Sequence, residues 1–404
     1  MLFKIIYFIY IIVCILFSNF QLGGGISVRH VITLLMLLLC IRENGVRFDK
    51  FVCCFLTFVL FYGFSCLITG YEEDFIRKLV GTYLAAIVLY WSSRVLILKY
   101  HAEYLFFCSV LFVAVVNSLI TIGQFYGNQY AIGLTSFFQF NLGEELVDIY
   151  ETRTDFHGRY VSGLLNIVIN GYFLSASSIL ALYNKKGVPS IFNWMVFIII
   201  FYALFLCQER AGLYSAIICL FSLFVISSKN KSSFFISIGL IAIALIYVFI
   251  SYGDQLFSLG DMRYSAVKDE GMRGGLIRDG IQFFLNHPLG AYEQWINEGH
   301  YQAHNVLVNA LLMGGLFGGM IAIYIIVTQL LKVSSVMLGT MRNNSYSYLL
   351  LIIAIAYLDY TMNSFFHNPS ILDGTAMFFV LWGIFSALFY SEKSSKKSRI
   401  SSKL

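Results

Sequence analysis

Apolar runs of roughly 17 to 25 residues, parted by short polar breaks, recur along the whole chain. A helix rises about 1.5 Å per residue, so about 20 apolar residues match the hydrocarbon thickness of a bilayer. Measured this way, the runs at 2–20, 25–41, 51–69, 79–98, 104–126, 161–183, 191–207, 211–227, 234–251, 303–331, 345–361 and 373–391 predict about twelve transmembrane helices. The expected fold is all-α, a polytopic membrane protein with one integral membrane domain over 1–404. The first run, preceded by Lys4, lacks a small-x-small cleavage motif and is expected to stay as an anchor. Two polar stretches, 127–160 and 251–302, are long for connectors, and such loops are usually functional or disordered.

Within 251–302, Leu276, Ile277, Ile281, Phe284 and Leu285 recur at helical spacing, with Arg273, Arg278, Asp279 and Gln282 mostly off that stripe. This predicts a short amphipathic helix in the interface, ended by Asn286-His287-Pro288. The following run opens on Gln302-Ala303-His304-Asn305 and thins to glycine at 314, 315, 318 and 319. Spacing of four pairs Gly314 with Gly318 and Gly315 with Gly319, which predicts two small-residue grooves where neighbouring helices approach closely.

Basic residues orient the chain. Of 27 Lys and Arg, 17 fall in alternate connections that form one side, including the Ser/Lys-rich tail 392–404, against four acids there. By the positive-inside rule that side is cytoplasmic and holds both termini. The two long loops then face the opposite side. The net charge of +5 is thereby a topology signal, with no hint of nucleic acid.

Outer-face cations are more informative, because topology gives them no reason to be there: Arg29, Arg77, Lys78, Arg153, Arg159, Arg210, Arg263, Lys268, Arg273 and Arg278. Arg210 stands in Cys207-Gln208-Glu209-Arg210-Ala211-Gly212, where it either pairs with Glu209 at a turn or clamps a phosphate with its fork of donors. Arg273 and Arg278 either touch lipid headgroups or serve the same anion. His304 is either a capping histidine or a base facing the arginine loop. His157, His287, His300 and His367 are expected to be structural.

Apolar residues make up 59% and charged residues 12% of the chain, about half the charge of a globular protein. The eight cysteines, at 14, 40, 53, 54, 66, 108, 207 and 219, lie in or at the ends of apolar runs and are expected to act as small hydrophobes. No zinc-type histidine spacing, paired aspartates, Gly-x-Ser-x-Gly elbow or phosphate-binding loop occurs, so neither metal nor cofactor is expected.

At Glu209-Arg210-Ala211-Gly212, at residues 278–284 running into His287-Pro288-Leu289-Gly290, and at His304-Asn305 followed by Leu307, Leu311, Gly315 and Gly318, the sequence resembles the O-antigen polymerase and ligase superfamily. The resemblance covers residues 205–320, and departs at Glu209, where the family more often has serine. It implies a GT-C-like fold in the bacterial inner membrane, with the active site on the periplasmic face. The implied reaction is a metal-independent, inverting glycosyl transfer from an undecaprenyl-diphosphate-linked oligosaccharide. His304 maps to the base, Arg210 and Arg278 to the diphosphate-binding arginines, Arg273 to a third, and Asn305 and Glu209 to supporting places. Implied partners are the lipid-linked saccharide, membrane lipids, a chain-length regulator and a flippase.

A polymerase and a ligase share donor and leaving group. The richness in Phe, Tyr and Ile leans towards the polymerase. Twelve spans with both ends inside also suit a transporter or flippase. Against that reading, the inner connection 41–50 lacks the glycine-aspartate-arginine pattern of the major facilitator group, and mid-span charges are nearly absent.

Overall fold

In the computed structural model, residues 1–17, 21–23, 26–138, 163–165, 167–185, 189–207, 210–227, 268–300, 303, 305–343, 345–365 and 371–401 are described. The apolar runs on these residues are helical. In order they give α1 Leu2–Leu16, α2 Val28–Arg42, α3 Lys50–Thr69, α4 Glu72–Lys78, a π turn Leu79–Tyr83, α5 Leu84–Leu98 and α6 Glu103–Phe125. There follow α7 Gln129–Phe138, α8 Ile167–Ala181, α9 Ile191–Leu206, α10 Arg210–Ser227, α11 Lys268–Asn286, α12 Tyr292–Asn297, α13 Val306–Asn343, α14 Tyr348–Ser364 and α15 Ala376–Ser401. A short antiparallel pair, Gln21–Gly23 with Ile26–Ser27, joins α1 to α2. The expected span at 234–251 lies outside the described residues.

The chain is a multi-pass membrane protein. Among the described residues, four helical stretches are long and apolar enough to cross a bilayer: Lys50–Thr69, Glu72–Leu98, Glu103–Phe125 and Val306–Arg342. Leu2–Leu16, Ile191–Leu206, Ala211–Ser227 and Tyr348–Ser364 are apolar but shorter. Helix α1 belongs to the core: Tyr7 Oη meets Ser93 Oγ at 3.0 Å, and Tyr10 Oη donates to the Ala85 carbonyl at 3.0 Å. None of the eight cysteines forms a disulfide among the described residues; five are buried, whereas Cys53 faces outward.

At the predicted cytoplasmic end, Asp49 caps α3 by accepting from Val52 N at 3.1 Å, and the same carboxylate receives Tyr90 Oη and Arg94. Lys99 pairs with Glu43 nearby and, with Tyr100, holds the Glu43 carboxyl below the usual carboxylate range. Within the bundle lies an acid near the end of the run 345–361. Asp359, in α14, is fully buried and accepts from Ser175 Oγ of α8 at 2.7 Å. A carboxylate in that position is tolerated because hydroxyl donors from neighbouring helices meet it.

Helix α13 corrects one expectation. Gly314 and Gly318 do face α3: a Cβ on Gly314 would lie 3.3 Å from Phe58, and one on Gly318 3.0 Å from Phe61. Gly315 and Gly319, however, form no second groove. Gly315 adopts φ 62 and ψ −163, and the helix breaks there into arms 306–314 and 316–343. The arms fold sharply, since a Cβ on Gly319 would fall 3.3 Å from the Leu311 Cα.

The turn His287-Pro288-Leu289-Gly290 fills the break. In an unbroken helix Leu316 N would bond the Leu312 carbonyl. Here Leu316 N donates to the Pro288 carbonyl at 2.9 Å, and the Leu312 carbonyl accepts from Ala291 N at 2.8 Å. Both backbone groups freed by the break are thereby satisfied, as burial requires. Only glycine fits at either side of the junction. A Cβ on Gly315 would sit 2.5 Å from the Leu289 carbonyl carbon, and one on Gly290, at φ 92, would sit 2.8 Å from Gly315 N.

Gly315→Ala and Gly290→Ala are therefore expected to cost about 2 kcal/mol or more each, through forced backbone strain and overlap. Gly133→Ala, on the open side of α7 with nothing within 4 Å, serves as the control and should be near neutral or slightly stabilising. Melting temperatures of the detergent-solubilised protein check this; equal behaviour of the three variants would contradict the account of the junction.

Candidate functional site

Position 304 lies outside the described residues, but both its neighbours are fixed. Ala303 is fully buried, and its N–H donates to Asn309 Oδ1 at 3.3 Å. Asn305 is the N-cap of α13: its Oδ1 accepts from Leu307 N at 2.9 Å and Val308 N at 3.3 Å, and its Nδ2 donates to the Phe365 carbonyl at 3.4 Å. Asn305 thus spends its amide on ending one helix and tying it to α14.

Helix α11 is present as expected, but its faces divide differently. Gly280 packs on the first arm of α13, where its Cβ would meet Val308 at 3.0 Å and Ala303 at 3.4 Å. Leu276, Ile277, Phe283 and Phe284 are partly buried on that side, whereas Ile281 and Leu285 are exposed. Arg278 is also exposed, 85% by side chain, beside Asp279 at 3.6 Å. At 100° per residue Arg278 therefore shares its face with Ile281 and Leu285, turned from α13, while position 273 falls in register with Gly280. The side chain of Arg273 lies outside the described atoms. His287 and His300 are structural, stacked on Phe283 at 4.4 Å and on Trp295 at 4.1 Å respectively.

Arg210 is the first residue of α10; its side chain, and Glu209 altogether, lie outside the description. Its end of the bundle can still be assigned. Tyr172 meets Tyr360 edge-on and Tyr183, just past the end of α8, stacks against Tyr348, so α8 runs antiparallel to α14. Gly212 abuts Gly171, and Ser215 Oγ meets Ser175 Oγ at 3.4 Å, so α10 runs parallel to α8. The start of α10 and the end of α14 therefore emerge together, and Asn305 is bonded to that same end of α14. The three chain segments that carry 210, 278 and 304 meet at one end of the bundle. Arg278 itself points away from the first arm of α13.

That end holds a cluster whose members show no motif spacing along the chain. Glu293 of α12 is buried, accepts from Tyr62 Oη, and pairs with Lys78 Nζ at 2.6 Å. The ammonium also lies 5.3 Å from the Tyr62 ring centre and 4.8 Å from that of Tyr292. Lys78 was visible as an outer-face cation, but its partner lies 215 residues away. No group of three or more His, Cys, Asp or Glu suited to a metal ion occurs among the described residues.

Lys78→Met leaves a buried carboxylate unpaired and is expected to destabilise by about 2 kcal/mol, less than for a fully enclosed pair because Lys78 keeps some water contact. Lys78→Met with Glu293→Gln should recover most of that loss. A double-mutant cycle on melting temperature is the measurement, and additive losses would show the pair to be uncoupled.

No curated protein matches the chain. Residues 195–323 match the family model described as O-antigen ligase. The matched stretch contains positions 209, 210, 273, 278, 304 and 305, together with both sides of the Gly290–Gly315 junction. Over that stretch the chain is similar to the O-antigen ligase family, which supports a relation to the superfamily of O-antigen polymerases and ligases.

Proposed function

We propose that the protein is the polymerase of surface-polysaccharide repeat units, acting at the periplasmic face of the bacterial inner membrane with both termini in the cytoplasm. The observation that carries this reading is that all six candidate positions fall within the matched stretch, on chain segments that emerge at one end of the bundle.

The chemistry follows from the residue types. A hydroxyl of a carrier-linked repeat unit attacks the anomeric carbon of the growing chain, from the face opposite the undecaprenyl diphosphate. The new C–O bond forms as the bond to the diphosphate breaks, and the leaving group takes that electron pair. His304 accepts the hydroxyl proton; a neutral imidazole is available near pH 7, and a positioned base typically contributes about 10²–10⁴-fold. Arg210, Arg278 and Arg273 meet the negative charge that builds on the diphosphate, a role guanidinium performs without a metal. Asn305 supports His304 by fixing the backbone next to it, and Glu209, next in sequence to Arg210, is assigned to orient it.

The family description favours a second reading, transfer of the finished polymer to the lipid A core by a ligase with the same residues. A strain dependent on this protein and carrying His304→Ala separates the two. Single repeat units on the lipid core are expected for the polymerase; bare core, with polymer left on its carrier, would identify the ligase. Unchanged chain length would remove His304 from the mechanism. Arg210→Lys and Arg278→Lys should reduce polymer nearly as much as the alanine variants if forked geometry is required.

A further inference from the structure

Arg29 and His30 lie side by side in the first turn of α2. Ser27 caps that helix: its Oγ accepts from His30 N at 3.4 Å, and its own N–H donates to His30 Nδ1 at 2.9 Å. With Nδ1 committed as acceptor, the neutral ring carries its proton on Nε2. That nitrogen turns towards the π turn. A Cβ on Gly81 would meet only two atoms within 4 Å, His30 Nε2 at 3.3 Å and Arg29 Nη2 at 3.7 Å. Two donors from one helix thus converge over a residue without a side chain.

Arg29 Nε is enclosed and has no hydrogen-bond partner, and no carboxylate pairs with Arg29 among the described residues. The adjoining segment 18–26 contains no acid. A largely enclosed cation without a partner is costly, so a bound anion would relieve the structure at this point. The place is also suitable. A Cβ on Gly374 would lie 2.6 Å from Thr82, the residue after Gly81. The turn 371–374 follows α14, whose last carbonyl, that of Phe365, is bonded to Asn305.

We propose that Arg29 and His30, over Gly81, form a second phosphate site that receives the diphosphate of the acceptor carrier lipid. This rests on the polymerase reading, in which donor and acceptor both hang on undecaprenyl diphosphate. One set of cations cannot hold both, since the donor's diphosphate must leave while the acceptor's stays attached. The donor's belongs to Arg210, Arg278 and Arg273, and the acceptor's to Arg29 and His30. The chemistry recognised is a phosphoryl group on a lipid, which an ordinary phospholipid headgroup could also supply.

The test titrates the full-length protein in nanodiscs of neutral lipid with undecaprenyl diphosphate and, separately, with phosphatidylglycerol, counting bound lipid by native mass spectrometry. Wild type should bind two undecaprenyl diphosphates. Arg29→Ala and Gly81→Val should weaken one of them about tenfold or more, the loss expected for a charge-assisted contact. Arg29→Lys should restore part of it, and Arg29→Gln, closest in shape, guards against misfolding through its melting temperature. In a two-substrate assay Arg29→Ala should raise KM for the acceptor and leave KM for the donor unchanged. Two sites of unaltered affinity in Arg29→Ala would overturn the inference and leave the polymerase reading standing. A loss confined to phosphatidylglycerol would make the site a headgroup contact and overturn the acceptor assignment. Wild type binding a single diphosphate that Arg29→Ala does not weaken overturns the second site alone. No binding at all in wild type overturns the polymerase reading with it.

Discussion

Two backbone hydrogen bonds, Leu316 N to Pro288 O and Ala291 N to Leu312 O, tie the loop 287–291 to the break in α13 at one end of the bundle. A membrane helix cannot be broken cheaply, because each freed N–H and C=O costs several kcal/mol in hydrocarbon unless something replaces its partner. Here the replacement comes from a loop remote in sequence. The turn 287–290 completes α13, and α13 in turn immobilises the turn. Gly315 and Gly290 are the two residues that let the backbones approach closely enough for the exchange.

That exchange decides the layout of everything outside the bundle. The turn is the direct continuation of α11 and runs straight into α12, so fixing it fixes the helix with Arg278 on one side and Glu293 on the other. Glu293 then makes a second attachment, to Lys78 and Tyr62, on elements from the first quarter of the chain. The short first arm of α13 is held at its start by Asn305 and Asn309, and along its length by Gly280 of α11. Ala303 and Asn305, the neighbours of position 304 in sequence, are both held by these contacts. A base needs to be held against a substrate to within a fraction of an ångström, and backbone ties on both neighbours are a rigid way to do it.

The sequence made the spans legible because hydrocarbon imposes one length and one composition on every helix that crosses it. It made Asn305, Arg278 and the amphipathic helix legible for the same reason: each breaks an apolar pattern locally. What it concealed depends on pairings across distance. The glycines at 315 and 319 have the spacing of a packing groove, and nothing in the chain near them says that Pro288 will supply a carbonyl instead. Glu293 looks like any acid of a polar loop until Lys78 is found beside it. Asp359 looks like an acid at the end of a span until Ser175 and Ser215 show that it is buried among hydroxyls. The division of α11 into faces was misjudged because Gly280, which carries no hydrophobicity, marks the side that packs.

That division bears on how a lipid-linked substrate would be met. A polyprenyl diphosphate arrives laterally, with its tail already in the bilayer and its diphosphate at headgroup level. A cation that receives it has to face the headgroup layer, and a helix that carries this cation has to rest its own apolar residues in the same layer. Arg278 satisfies both conditions: it is exposed, and Ile281 and Leu285 on its face are exposed with it. A guanidinium facing into the bundle would meet the diphosphate only after the lipid had left the membrane plane. On the proposed reading, Arg278 makes the first contact with the arriving diphosphate. The outward turn of Arg278 is then a consequence of where the substrate comes from.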